Sequence, residues 1–150
     1  MTDTIDTNCT FLGFDYGEQR IGVATGQLTS RLASPCTTLN AVNGKPDWQA
    51  IENLIDEWRP GAFVVGIPIH MDGSDTRITD KAKRFARQLN GRFGLPAYHA
   101  DERLSSVAAN ELIKSARQSG QRGKTRKGDD DRIAAALILQ DWLDMYDANS

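Results

Sequence analysis

An aspartate follows a strongly apolar stretch near the start of this sequence of 150 residues. In FLGFDYGEQRIGVATG, Asp15 comes directly after the densest apolar run and before Tyr16 and Gly17. This position predicts the C-terminal end of a strand, which is where ligands usually bind in open α/β sheets. Asp15 is therefore a candidate metal ligand. The alternative is that it caps a turn, since aspartates before glycine often do so through local hydrogen bonds.

A second pair of carboxylates ends a later predicted strand. In HADERLSS, Asp101 and Glu102 are neighbours in the sequence. Because adjacent strand residues point to opposite faces of a sheet, at most one of them can share a site with Asp15. The other would pair with Arg103 or cap the next helix. Residue spacing alone leaves the choice between the two open.

The third candidate lies in GDDDRIAAALILQDW, where three aspartates precede an apolar run. If Asp131 opens the last helix, it shares a face with the apolar residues at the helical spacings that follow, namely Ala134, Ala135, Ile138 and Trp142. Asp129 and Asp130 are well explained as complements to the positive helix N-terminus. The inward register of Asp131 instead favours a functional site.

Three carboxylates from separate parts of a chain repel one another unless a cation lies between them, because burying unpaired charge is costly. Hard oxygen ligands favour Mg²⁺ or Mn²⁺, whereas zinc usually requires His or Cys. His70 and His99 are isolated, and Cys9 and Cys36 lack the spacing of a metal site. Two ions about 3.5–4 Å apart can activate a water and stabilise the leaving oxygen in phosphodiester hydrolysis. The carboxylates therefore predict a metal-dependent phosphodiesterase.

The strands and helices that position these residues follow from hydrophobic periodicity. Three short strands with short connectors predict antiparallel neighbours, and the later β-α crossovers predict a mixed sheet. We expect an α/β fold of the ribonuclease H-like type, with a mixed five-stranded sheet, its first three strands antiparallel, and helices on both faces. We expect a single nuclease domain over 1–150, with flexible tails at 1–9 and 147–150. The expected elements are strands 10–16, 20–26, 33–39, 61–68 and 95–102, and helices 47–59, within 74–94, near 104–116 and roughly 129–146.

The amino-acid composition indicates which general class of protein this is. With 39% hydrophobic and 25% charged residues, the chain is typical of a globular protein. The polar N-terminus lacks the pattern of a signal peptide, and no apolar segment is long enough to span a bilayer. We therefore expect a cytoplasmic protein that does not bind membranes, with both cysteines reduced. The formal net charge of -2 means that nucleic-acid contacts must come from local basic patches.

One such patch lies between Leu112 and Gly128, a segment without an acidic residue. We predict that this segment is a phosphate clamp at the mouth of the acidic site. Its basic residues are Lys114, Arg117, Arg122, Lys124, Arg126 and Lys127.

Three further basic residues, Arg77, Lys81 and Arg84, share a helix face, for which plain solvation is the expected role. The segment GIPIHMDGS lacks the ending of a Walker loop and predicts a tight strand-to-helix turn with Ser74 near the N-cap. Arg20 and Asp72 are candidates for positioning substrate, and ordinary sheet and turn roles fit them equally.

Four motifs together resemble a known family: DYGEQRIGVA at 15–24, GIPIHMDGS at 66–74, DERLSS at 101–106 and KGDDDRIAAALIL at 127–139. They resemble the YqgF family of ribonuclease H-like proteins. The resemblance implies a Mg²⁺- or Mn²⁺-dependent nuclease that processes the 5′ end of pre-16S rRNA, or alternatively a Holliday junction resolvase acting on branched DNA. It implies that the catalytic metal ligands are Asp15, Glu102 and Asp131. The residues that we assign to nucleic-acid binding are Arg20, Arg103, Arg122, Lys124, Arg126 and Lys127.

Two other functions remain as alternatives. A phosphotransferase of the actin and sugar-kinase superfamily would need two such domains around its nucleotide, and 150 residues supply one. A non-catalytic ribosome-assembly factor could have kept the fold without the chemistry. Residue patterns do not distinguish RNA from DNA as the substrate, nor a monomer from a homodimer.

Overall fold

The computed structural model describes residues 9–70, 72–101 and 127–146. Within this part of the chain, six strands form one sheet in the order β4-β3-β2-β1-β5-β6. The pairs β1-β2, β2-β3 and β3-β4 are antiparallel, and the pairs β1-β5 and β5-β6 are parallel. The strands are β1 (Thr10–Asp15), β2 (Arg20–Gln27), β3 (Leu32–Val42), β4 (Lys45–Pro46), β5 (Ala62–Ile67) and β6 (Ala97–Asp101).

The predicted mixed sheet is confirmed, with one strand more than the five expected. Asn43 and Gly44 form a two-residue hairpin loop with φ angles of 53° and 79°. Left-handed backbone at both central residues is the geometry that Asn-Gly favours in tight hairpins. The segment Lys45–Pro46, which lies outside the five expected strands, therefore forms β4 and pairs with Ala41 and Val42.

Three helices lie within the described residues: α1 (Trp48–Trp58), α2 (Thr79–Phe93) and α3 (Lys127–Met145). Helix α1 begins after Asp47, whose side chain accepts a hydrogen bond from the backbone N–H of Ala50 at 3.1 Å. Helix α2 ends at Gly94, which has a φ of 71° and so adopts a conformation that glycine favours. None of the described helices is long and apolar enough to cross a membrane.

Two helix starts differ from the prediction. Helix α2 begins at Thr79, so the expectation that Ser74 lies near its N-cap is wrong. The backbone N–H and hydroxyl of Ser74 instead donate to Oδ1 of Asp72, at 2.9 and 2.6 Å, in a local turn. Helix α3 begins at Lys127, so Asp131 lies in its second turn rather than at its start.

Some predictions fall outside the described residues. These are the helix near 104–116, most of the basic segment, residues 1–8 of the N-terminal tail, and the tail at 147–150. Cys9, the remaining residue of the expected N-terminal tail, is half-buried beside the core under α3.

The two faces of the sheet carry different cores. Helices α1 and α2 cover a core rich in aromatic side chains, including Phe14, Phe63 and Phe85. Helix α3 covers the other face with Ile138 and Leu139, which pack against small residues of the strands, and with Trp142, whose ring centroid lies 5.1 Å from that of Phe11.

Candidate active site

Asp15 is the last residue of β1 and lies between two glycines of the neighbouring strands. Its register partners are Gly22 on β2 and Gly66 on β5. A Cβ atom on Gly22 would lie 1.9 Å from the carbonyl oxygen of Asp131, and one on Gly66 would lie 2.6 Å from Cδ1 of Ile138. Since register partners point to the same face of a sheet, Asp15 faces α3. The two glycines thus let α3 approach the sheet directly beside Asp15.

We call the place where α3 meets the end of β1 the corner of the site. Arg20 fixes the Asp131 side chain at this corner. The Nε atom of Arg20 donates to Oδ2 of Asp131 at 2.7 Å, and the two side chains are 36% and 24% exposed. Arg20 precedes Gly22 by two residues, so both face α3. A charge-assisted hydrogen bond of this kind is stronger than a neutral one. The ion pair therefore holds the Asp131 carboxylate beside the end of β1, where Asp15 lies.

Of the two neighbouring carboxylates predicted at the end of the later strand, the structure describes Asp101, the last residue of β6. Ala100 pairs with Gly66 and packs in the core under α3, whereas Asp101 pairs with Ile67, which belongs to the aromatic core on the opposite face. Because side chains alternate along a strand, Asp101 points to the face away from Asp15. Glu102 lies outside the described residues.

The oxygen donors of Asp15 and Asp131 fit a divalent cation as part of a larger ligand set. A carboxylate has about four lone-pair positions, so the bond from Arg20 leaves acceptor capacity on Asp131. Within 9–70, 72–101 and 127–146, no three His, Cys, Asp or Glu residues lie close enough together to bind a metal ion. The third carboxylate of the predicted set, Glu102, is not among those residues.

The structure describes few of the basic residues that we assigned to nucleic acid. Arg20 lies at the acidic corner, and Lys127 is the first residue of α3. The others lie outside the described residues: Arg103, Arg122, Lys124 and Arg126.

Sequence patterns missed an ion-pair cluster next to this corner. Glu18, in the connector between β1 and β2, binds Nη1 of Arg77 at 2.7 Å and also binds Nζ of Lys81. The hydrogen bonds from Lys81 and then from Arg77 hold the pKa of the Glu18 carboxyl below its usual range. Arg77 and Lys81 are exposed, as expected, but they also anchor the start of α2 to the connector that follows Asp15. The spacing of four residues between Arg77 and Lys81 was the sequence signal that could have indicated this ion-pair cluster.

Known proteins are similar to this chain over most of its length. A family model described as "RuvX: Holliday junction resolvase" matches residues 9–145. A "Putative pre-16S rRNA nuclease" of Pseudomonas fluorescens (strain Pf0-1) is 51% identical over 135 residues, covering 89% of this chain and 90% of the relative. One of the same name from Azotobacter vinelandii is 49% identical over 132 residues, covering 88% and 91%.

A solved structure also shares the fold. The yeast mitochondrial Holliday junction resolvase Ydc2 superposes with a TM-score of 0.53 and 13% identity, over 94% of this chain and 80% of that one. This likeness concerns the fold alone, and it confirms the predicted ribonuclease H-like architecture.

Proposed function

The chain belongs to the RuvX family of Holliday junction resolvases, and on that basis we propose that it is a metal-dependent nuclease that processes the 5′ end of the 16S rRNA precursor. The observation that supports the proposal is the contact of the Asp131 backbone on α3 with Gly22, the register partner of Asp15, which brings α3 to the strand end that carries Asp15. The choice of precursor rRNA rests on the relatives that are about half identical to this chain and are named for that substrate.

We assign Asp15, Asp131 and Glu102 as the groups that hold Mg²⁺ or Mn²⁺. Ala100 faces α3, and Glu102 follows it by two residues, which is the spacing at which strand side chains share a face. When bound, a pair of such ions supplies an activated water and stabilises charge on the phosphodiester. The carboxylates place these charges at a rigid strand end, so little reorganisation is needed when the substrate binds.

Arg20 has two roles in this proposal. Its Nε donates to Asp131 and so orients that carboxylate. A guanidinium has five N–H groups in a planar fork, so others can donate to a phosphate oxygen of the substrate. The basic residues Arg103, Arg122, Lys124, Arg126 and Lys127 would bind backbone phosphates farther from the scissile bond.

Cleavage of four-way DNA junctions is a second candidate, favoured by the description of the matching family model. A resolvase must cut two strands, so it normally needs two active sites, and this candidate therefore also requires a homodimer. A monomer that cuts only precursor rRNA would exclude it.

The discriminating experiment is cleavage of purified precursor rRNA and of a four-way DNA junction side by side, with Mg²⁺ or Mn²⁺. We expect Asp15→Asn and Asp131→Asn to abolish cleavage while the fold persists. Asp101→Asn is the matched control, because it makes the same change at the end of β6, where the side chain faces away from Asp15. Full activity of Asp15→Asn would overturn the proposal. Undiminished RNA binding without cleavage by any form would support a non-catalytic assembly factor instead.

A further inference from the structure

A basic cleft lies on the face of the sheet opposite α3, where Tyr16 follows Asp15. It has a volume of about 510 Å³ and opens between the β3-β4 hairpin, the start of α1 and one side of α2. The described residues that line it include no carboxylate. Its charged residues are four cations, Lys45, Lys81, Arg84 and Arg92. We call this feature the basic cleft.

The cleft offers charge rather than a surface for stacking a base. The guanidinium carbon of Arg92 lies 4.1 Å from the centroid of the Trp48 ring, and Phe85 stacks on Trp48 with centroids 5.7 Å apart. Both partners occupy the indole, so Trp48 orients Arg92 through a cation-π contact and does not act as a stacking platform. A ligand of the cleft would therefore be recognised by its negative charge.

Hydrogen bonds hold the walls of the cleft to the end of β1. The hydroxyl of Tyr16 donates to the carbonyl oxygen of Gly44 at 2.7 Å. The backbone N–H of Gly44 donates to the carbonyl oxygen of Glu18 at 3.1 Å. Lys45 follows Gly44 directly, and Lys81 binds Glu18. The backbone that leads into Lys45 and the ammonium group of Lys81 are thus held near Tyr16, the residue after Asp15.

We propose that the basic cleft binds backbone phosphates of the nucleic-acid substrate, on the opposite face of the sheet from the carboxylates. The net charge of the whole chain is -2, so four cations in one cleft are a local concentration rather than a general property of the surface. Among the described residues, Lys45 and Arg84 form no ion pair that would neutralise them. This inference rests on the proposed nuclease function.

The position of the cleft supports a continuous path for the substrate. Asp15 and Tyr16 are consecutive, so their Cα atoms are about 3.8 Å apart. Their side chains point to opposite faces, because Asp15 faces α3 and Tyr16 belongs to the aromatic core. A strand with one phosphate at the carboxylates would thus continue around the end of β1 into the cleft. Lys45 and Arg84 would then bind phosphates beyond the scissile one.

The test compares two double variants that remove the same charge from the intact protein. Lys45→Gln with Arg84→Gln changes the cleft. Lys83→Gln with Arg87→Gln is the matched control, since these residues do not line the cleft; they lie near His99 on β6, whose pKa is lowered by burial and then by their charges. Binding of a labelled precursor-rRNA fragment is measured over a salt series in EDTA, so that no cleavage occurs.

We expect the cleft variant to bind more weakly, with a salt dependence shallower by about 1.4–1.8 log units per decade of salt, corresponding to two lost phosphate contacts. The control variant should keep the wild-type slope. Equal slopes in both variants would overturn the inference, and the nuclease proposal would stand if the wild type still cleaves RNA. Failure of the wild type to bind or cleave any nucleic acid would overturn both.

The cations of the cleft could also recognise the phosphate groups of a small free ligand, and pyrophosphate is the probe for such a ligand. We expect pyrophosphate bound to the wild type to be displaced by the RNA fragment, and its binding to weaken in the variant with Lys45→Gln and Arg84→Gln. Pyrophosphate binding that resists excess RNA would assign the cleft to a small phosphorylated ligand and would contradict binding of the nucleic-acid backbone.

Discussion

The two faces of the sheet differ in the side chains that pack between the strands and the helices. Under α3, glycines line the strands, and a Cβ atom on Gly13 or Gly26 would lie within 3 Å of Leu139, at 2.8 and 2.9 Å. On the opposite face, large aromatic rings fill the space below α1 and α2, with Phe14 and Phe85 in edge contact at 5.4 Å. Both faces bury apolar side chains. The first also lets a helix backbone approach the sheet and positions Asp131, whereas the second is filled mainly by aromatic rings.

This difference indicates that substitutions on the two faces should separate stability from chemistry. A lost ring under α1 and α2 removes contacts on the face of the sheet opposite the carboxylates. A methyl added at Gly22, under α3, would instead meet the backbone that carries Asp131. The predictions below test that separation, beginning with the largest expected effect on stability.

Phe85→Ala should cost about 3–5 kcal/mol of unfolding free energy, as is typical for a large aromatic removed from a core. Phe85 is 1% exposed and contacts the rings of Phe14, Tyr16 and Trp48. Urea denaturation measures the loss. Cleavage per folded molecule should persist, because the corner under α3 is unchanged. A loss within the range of surface substitutions, about 0.5 kcal/mol, would contradict this account of the aromatic face.

Gly22→Ala should cost about 1–3 kcal/mol and should also abolish cleavage. The added methyl would meet the backbone of Asp131 at 1.9 Å, so α3 must move away from the sheet. Gly91→Ala is the control, since a Cβ atom there meets nothing within 4 Å. That change lies in the last turns of α2 and should stabilise the protein by about 0.4–1 kcal/mol. A Gly22→Ala protein that cleaves normally would show that the close approach does not position the site.

Tyr16→Phe should cost about 0.5–1.5 kcal/mol, because it removes the 2.7 Å hydrogen bond to Gly44. Burial raises the pKa of the Tyr16 hydroxyl above its usual value. A raised folded-state pKa gives stability that is present below the unfolded pKa of about 10 and is lost as the pH rises through the folded pKa. Thermal melts should therefore show the difference between wild type and Tyr16→Phe shrinking at high pH. A constant difference would contradict the assignment.

The smallest effect concerns Glu18, which is half-buried. Its pKa is lowered by Lys81 and Arg77, so its contribution is present above the unfolded pKa and is lost as the pH falls through the folded pKa. NMR titration of the carboxyl carbon should show that pKa rising toward its ordinary value in Lys81→Gln, and rising less in Arg77→Gln. Lys83→Gln, a like change elsewhere on α2, should leave it unchanged. An unchanged pKa in Lys81→Gln would remove this link between the connector and α2.

Much of the fold could be predicted from hydrophobic pattern, because β1 and β5 bury their apolar residues and α1 buries Ile51 and Leu54 at helical spacing. The fourth strand was missed because Lys45 and Pro46 have the composition of a turn, although Asn43-Gly44 is a strong hairpin signal. The start of α2 was placed too early for another reason. Oγ1 of Thr79 donates to the carbonyl oxygen of Pro68 at 2.6 Å, a contact across eleven residues that residue patterns do not reveal.

The candidate site was predictable in part. Alternation along the strand predicted at 95–102 allowed only one of Asp101 and Glu102 to share a site with Asp15, and the structure places Asp101 on the side away from Asp15. The ion pair of Arg20 with Asp131 joins residues 111 positions apart, so it depends on the packed fold. The basic cleft was missed for the same reason, since its cations come from the β3-β4 hairpin and α2.

The central claim is that Asp15 and Asp131 hold a divalent cation at the corner under α3. The most direct test is thermal and chemical unfolding with and without Mn²⁺. At about ten times its dissociation constant, Mn²⁺ should add about 1.4 kcal/mol to the stability of the wild type, and Na⁺ at equal ionic strength should not. The added stability should shrink sharply in Asp15→Asn and Asp131→Asn and should remain in Asp101→Asn. Equal stabilisation of the wild type and Asp15→Asn would place the cation elsewhere and would contradict the account.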